Sequence, residues 1–198
     1  ASKHIDPEKS RVVLAGREIT YSKYTYVMLN KPEGVVSATE DGRDKTVLDL
    51  LPSDVRTRGM FPCGRLDKDT VGLLLLTNDG STAHFLLSPK RHVSKIYYVK
   101  TQFPVTKSDI EILENGVQLD HGDIARPAKV KQTSDNQLYI TIVEGMYHQI
   151  KRMFGCFGAK VVELHRVAMG DLYLPSDLPE GQCRELTETE LNKLQQIK

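Results

Sequence analysis

Residues Gly64–Gly80 read GRLDKDTVGLLLLTNDG. Four consecutive leucines, Leu73–Leu76, lie between Gly72 and the turn signal Asn78-Asp79-Gly80, and Asp67, Asp69 and Asp79 flank them. An apolar run this short is too brief for a buried helix and suits a central strand, Leu73–Thr77, covered on both faces. Charge at the ends of such a strand has two readings. One is an ordinary turn feeding the core; the other is a catalytic carboxylate held in place by a rigid strand end.

Outward from this strand, strand and turn signals dominate. YTYVMLNKPEGVVSAT reads as strand, turn at Lys31-Pro32-Glu33-Gly34, and strand, and RVVLAGREITY as a ribbon turning at Ala15-Gly16. Ser81 can cap a brief helix over TAHFLLS that Pro89 stops, and KIYYVKTQ alternates as a strand. SDIEILENG predicts a helix with Ser108 and Glu111 as a capping box and Asn115-Gly116 as its stop. AKVKQTSDNQLYITIVEG predicts a hairpin turning at Ser134-Asp135-Asn136, and KVVELHRVAMG a further strand. Met146–Phe157 predicts an amphipathic helix with Ile150, Met153, Phe154 and Phe157 on its apolar side, and Thr187 with Glu190 caps a last helix bearing Leu191, Leu194 and Ile197. Strands outnumber helices and hairpins connect them. The expectation is an α+β fold with a mixed, largely antiparallel central sheet flanked by helices.

A chain of 198 residues, 39% hydrophobic and 27% charged, has material for one substantial core or two intimate subdomains. No apolar run approaches the roughly 20 residues of a membrane-spanning helix. Cys63, Cys156 and Cys183 are odd in number and widely separated, the pattern of reduced thiols in a cytoplasmic protein and not of a disulfide scaffold or zinc site. The net charge of +1 does not announce a nucleic-acid binder, so any such function rests on local clusters. PKRHVSK (Pro89–Lys95) and HQIKR (His148–Arg152) are such clusters.

Three chemistries compete for the acidic stretch and its neighbours. DKDTV resembles the aspartate signature of haloacid-dehalogenase-type phosphohydrolases, but there the hydrophobic strand precedes the first aspartate, and here it follows. Asp67, Asp69 and Gly72 fit three positions of a calcium loop, yet Val71 and Asn78 occupy positions that need oxygen ligands and a glutamate. EGMYHQIKRMF, Glu144–Phe154, places His148, Lys151 and Arg152 within one helical turn, able to face a cleft while Ile150 and Met153 face the core. Its bland reading is a helix with a charged outer face.

The long motifs decide among these. GRLDKDTVGLLLLTNDG resembles the signature of the bacterial ribosomal RNA pseudouridine synthases of the Rsu type, and MLNKPEGVVSAT, SPKRHVSKIYYV, GVQL with RPAKV, EGMYHQIKRMF and VVELHRVAMG resemble the family's other blocks in its order. The resemblance runs from about Tyr24 to the C-terminal helix. It implies a pseudouridine synthase fold with a catalytic cleft over residues 24–198, preceded in 1–23 by a linker and the remnant of an S4 RNA-binding domain. It implies an isomerase that converts a uridine of 16S ribosomal RNA to pseudouridine without metal or cofactor; a 23S substrate, or a binding-only assembly factor, is the alternative. The partner implied is ribosomal RNA, acted on by a monomer in the cytoplasm with no membrane contact. By the same resemblance Asp67 is the catalytic carboxylate, Lys151 its ion-pair partner, and Tyr97 the ring that stacks on the flipped-out uracil. Arg65 occupies the vacated space or binds phosphate. Lys31, Lys90, Arg91, Lys95, His148, Gln149, Arg152 and Arg166 are the remaining RNA contacts, and Asn30, Asp69 and Thr70 brace the loop.

Overall fold

The computed structural model describes residues 12–14, 17–19 and 23–196. In chain order the strands are β1 (Val12–Leu14), β2 (Arg17–Ile19), β3 (Tyr26–Lys31), β4 (Phe61–Pro62), β5 (Val71–Thr77), β6 (Lys95–Thr101), β7 (Val117–Gln118), β8 (Ile124–Ala125), β9 (Lys129–Ser134), β10 (Gln137–Ile142), β11 (Val161–Met169), β12 (Leu172–Tyr173) and β13 (Cys183–Glu185). The helices are α1 (Gly80–Leu87), α2 (Lys107–Asn115), α3 (Gln149–Gly155) and α4 (Glu188–Gln196). Nine strands form one sheet in the order β13-β3-β5-β11-β6-β10-β9, with β4 beside β5 and β12 beside β11. Only the β5–β11 pair in it is parallel, so the sheet is mixed and largely antiparallel.

β5 lies inside this sheet, between β3 and β11, and every residue from Leu73 to Leu76 is buried. Alternation sends Leu74 and Leu76 to one core, shared with Tyr97, Val99, Ile150, Met153 and Phe154. Leu73 and Leu75 go to the other, shared with Ala83 and Leu86 of α1 and Leu194 of α4. A strand buried on both faces needs apolar residues at every position, hence the uninterrupted leucines. Gly72 is there for a different reason. It sits at φ 105° where β11 passes closest, and a Cβ would fall 2.3 Å from the Arg166 carbonyl oxygen.

Several local expectations are corrected. The second strand after Gly34 does not form: Val36 makes only an isolated parallel bridge to Thr46. Asp79, not Ser81, caps α1, accepting from the amides of Ser81 and Thr82, because a carboxylate at the N-cap, two residues earlier, reaches both orphan donors. In α2 the capping box is Thr106 with Asp109. α3 begins only at Gln149, since His148 stands in the left-handed conformation at φ 48° and turns the chain out of any earlier helical path. The β9–β10 hairpin, the stop of α2 at Gly116 and the Thr187–Glu190 cap fall where the sequence places them. Ala15-Gly16 and Ile197 lie outside the described residues.

Candidate active site

Residues 63–70 form the loop that leads into β5, and neighbouring segments hold its backbone at several points. Ser37 Oγ donates to the Leu66 carbonyl and accepts from the Leu66 amide, at 2.9 and 3.0 Å. The Gly34 amide donates to the Lys68 carbonyl. From beneath, Lys31 Nζ donates to the carbonyls of Pro32, Lys68 and Thr70 at 2.9, 3.3 and 2.9 Å. Lys31 is fully buried, and burial pulls its ammonium down to about 8 although Asp69 and Asp67 pull the other way. This corrects its expected role: an ammonium spent on three carbonyls inside the protein is a fastening for the loop, not a phosphate contact.

Asp67 emerges from this loop half-buried. Lys151 Nζ, on α3, lies 3.2 Å from Asp67 Oδ2 and 2.6 Å from Asp69 Oδ1, so one cation bridges both carboxylates. Burial pushes Lys151 down, but the hydrogen bonds to Asp69 and Asp67 outweigh it and hold the ammonium above its ordinary value. Asp69 is correspondingly held low, chiefly by its hydrogen bond from Lys151. His148 Nε2 stands 3.5 Å from the other oxygen of Asp67. The turn before α3 that sets these positions is tied by Gln149, whose buried amide accepts from the Met146 amide and donates to Glu144.

Asp67, Arg65, Tyr97, His148, Lys95 and Arg166 line one cleft of about 640 Å3, together with residues 143–147 and the Ser88-Pro89 turn. Tyr97 on β6 is mostly buried and contributes to the cleft wall. Arg65 is exposed at the cleft, beside the buried Leu66. Tyr147, 74% exposed at the cleft edge, stacks on the His148 ring at 3.8 Å between centroids.

Other expected contacts are placed elsewhere. Arg152 is held by Asp120 and Asp123, with Nε 2.5 Å from Asp120 Oδ1 and Nη2 2.8 Å from Asp123 Oδ2, and so fastens the β7–β8 connection to α3 instead of facing the cleft. Asn30 is buried and donates to the Leu178 carbonyl, away from the loop it was expected to brace. The Thr70 hydroxyl, also expected to brace, is buried without a partner. Lys90 and Arg91 are exposed in a short 3-10 turn beside the cleft, and Arg91 sits over the Phe85 ring.

A half-buried carboxylate, a shared lysine and an aromatic wall thus stand together in one open cleft. Residues 25–155 match the RNA pseudouridylate synthase family, and the chain belongs to it. It is therefore an RNA pseudouridine synthase, an isomerase. Among curated proteins it is 48% identical to an uncharacterized RNA pseudouridine synthase, YtzG, of Bacillus subtilis strain 168, over 96% of this chain and 82% of the other. It is 44% identical to ribosomal small subunit pseudouridine synthase A of Escherichia coli K12, over 84% of this chain and 72% of the other. A crystal structure of a pseudouridylate synthase superposes with a TM-score of 0.81 at 37% identity, covering 98% of this chain and 83% of that one. Among the described residues no helix is long and apolar enough to cross a membrane.

Proposed function

We propose that this chain converts one uridine of small-subunit ribosomal RNA to pseudouridine, with Asp67 as the nucleophile acting on a base flipped out of its stack. The reaction breaks the N1–C1′ bond, rotates the uracil, and forms C5–C1′; the proton leaves C5 and N1 regains one, so no electrons are gained or lost. Asp67 attacks an electrophilic carbon, either C1′ of the sugar or C6 of the base. The observation that carries this reading is Asp67 itself, half-exposed in the cleft with Lys151 on one oxygen and His148 beside the other. Lys151 holds one oxygen of the carboxylate in an ion pair and leaves the group facing the cleft. Tyr97 supplies a ring against which the uracil stacks, and a uridine cannot reach this depth while paired in a helix, so it must be extruded.

The small subunit is preferred because the named Escherichia coli relative acts there and matches over most of both chains. The test pairs two measurements. Pseudouridine mapping of ribosomal RNA from cells with and without the gene should lose one 16S position; a loss in 23S RNA alone would overturn the substrate. Purified Asp67→Asn should bind the same RNA yet show background turnover. Substantial turnover by that variant would move the nucleophile away from Asp67.

A further inference from the structure

Two buried cations in the wall of the cleft have no carboxylate partner among the described residues. Lys95, the first residue of β6, is 7% exposed, and its ammonium makes one hydrogen bond, 3.0 Å to the Val93 carbonyl. Arg166 on β11 is 2% exposed. Its Nε donates to the Leu73 carbonyl at 2.7 Å, while its Nη2 is buried with no hydrogen-bond partner among the described residues. Arg166 stands directly across from Tyr97 in the β6–β11 ladder, and Lys95 is two residues before Tyr97, so all three share one face of the sheet. That face opens into the cleft that holds Asp67.

Such a pair does nothing for stability. Taking one charge out of water without a partner is expensive, and placing a second like charge beside it adds repulsion. The chain shows how it treats a cation that is purely structural: Lys31, also buried, has three carbonyls on its ammonium and four carboxylates nearby. Lys95 has neither. Burial and the neighbouring Arg166 both pull it below its ordinary value. Cys63, close by, is no counter-charge, since burial pushes its thiol up to about 11. Spare donors on two converging cations call for a compact anion with several free lone pairs.

We propose that Lys95 and Arg166 form a pocket for a single RNA phosphate, the one that accompanies the extruded nucleotide into the cleft. This rests on the uridine-flipping reading above and adds to it a reason for extrusion. Phosphates of a stacked helix lie on its surface and contact surface lysines and arginines in any conformation. A pair buried in the cleft wall is reached only when the nucleotide has left its stack, so the neutralisation of these two charges favours the flipped state selectively. Asp67 then meets a nucleotide already gripped at its phosphate, and Tyr97, between the two anchor points, meets the base.

The test uses the purified chain and a 16S fragment containing the mapped uridine, with a neutral methylphosphonate placed in turn at the linkage on either side of it. One of the two positions should lower wild-type turnover at least about tenfold, the loss expected for charge-assisted hydrogen bonds. Lys95→Met should show a similar loss on unmodified RNA and little further loss on the sensitive methylphosphonate, because both changes remove the same contact. Lys95→Arg should restore part of the activity. Insensitivity at both linkages, or losses that multiply, would overturn the proposal. A second arm does not depend on the RNA reading: inorganic phosphate, compared with chloride at equal ionic strength, should raise the melting temperature of wild type more than that of Lys95→Met. If that difference is found while no RNA uridine is isomerised, the pocket stands and the assigned reaction fails. If the difference is absent, the pocket itself is refuted.

Discussion

Asp79 and Asp67 stand at opposite ends of β5 and show two uses of one residue type. At the C-terminal end, Asp79 is 2% exposed and accepts from the amides of Ser81 and Thr82 and from the hydroxyls of Ser81, Thr82 and Tyr26. Burial alone would raise its pKa, but those hydrogen bonds outweigh it and hold the carboxylate far below the ordinary range. The same contact, after burial, pushes the Tyr26 hydroxyl up to about 12. At the N-terminal end, Asp67 keeps close to a third of its side chain in the cleft, and its side chain meets Lys151, shared with Asp69, and His148. A carboxylate whose lone pairs are filled by neutral neighbours is locked and inert. One facing a cleft, with charge as its main support, is left able to react.

The sharpest way to break this contrast is to neutralise both ends. Asp67→Asn should abolish turnover with the urea midpoint nearly unchanged. Asp79→Ala should leave the folded fraction active but cost roughly 2–4 kcal/mol of stability, the sum of a lost N-cap and stranded hydroxyl donors. Turnover assays and urea titrations on the same samples separate the two, and exchange of these phenotypes would overturn the assignment. Next in size is Lys151→Ala, which removes the cation between two carboxylates. Turnover should fall on the order of 100-fold, while circular dichroism and melting stay close to wild type because Ile150, Met153 and Phe154 keep α3 in the core. Wild-type turnover in that variant would put the support of Asp67 elsewhere, with His148 the first candidate.

Lys31→Met tests the fastening of the loop more gently. Carbonyls of Pro32, Lys68 and Thr70 each lose a donor, so stability should drop by about 1–3 kcal/mol, and turnover should fall less than in Lys151→Ala. A larger loss of turnover than of stability would show Lys31 acting on the reaction directly. The smallest effect concerns acid. Because the folded state holds the Asp79 proton less tightly than the unfolded chain, its contribution is fully present above the unfolded value of about 3.9 and is lost as pH falls through the depressed folded value. Glu190, held down to about 2 mainly by Arg184, has the same sign. Urea midpoints should therefore decline below about pH 4, and the decline should be shallower in Asp79→Asn. An unchanged slope would mean that Asp79 is not the group responsible.

What is local in this protein was legible in the residues alone. The leucine run declares a strand buried on both faces and Asn115-Gly116 declares a helix end, because periodicity and turn chemistry act over a few residues; Asp67 stands out only through the resemblance of its motif, in order with the other blocks, to a known family. The caps of α1 and α2 were misjudged by a few positions for the same reason: several polar residues near a helix start can each cap it, and packing chooses. Partners were another matter. Lys151 lies 84 positions from Asp67, and Arg166 lies 93 from the Leu73 carbonyl it binds. Among lysines and arginines that read alike in sequence, strand order and burial made Lys31 a loop fastening, Arg152 a hairpin anchor, and Lys95 with Arg166 an uncompensated pair in the cleft. A cation's role follows from which acceptors surround it, and those acceptors come from segments that meet only when the sheet closes around β5.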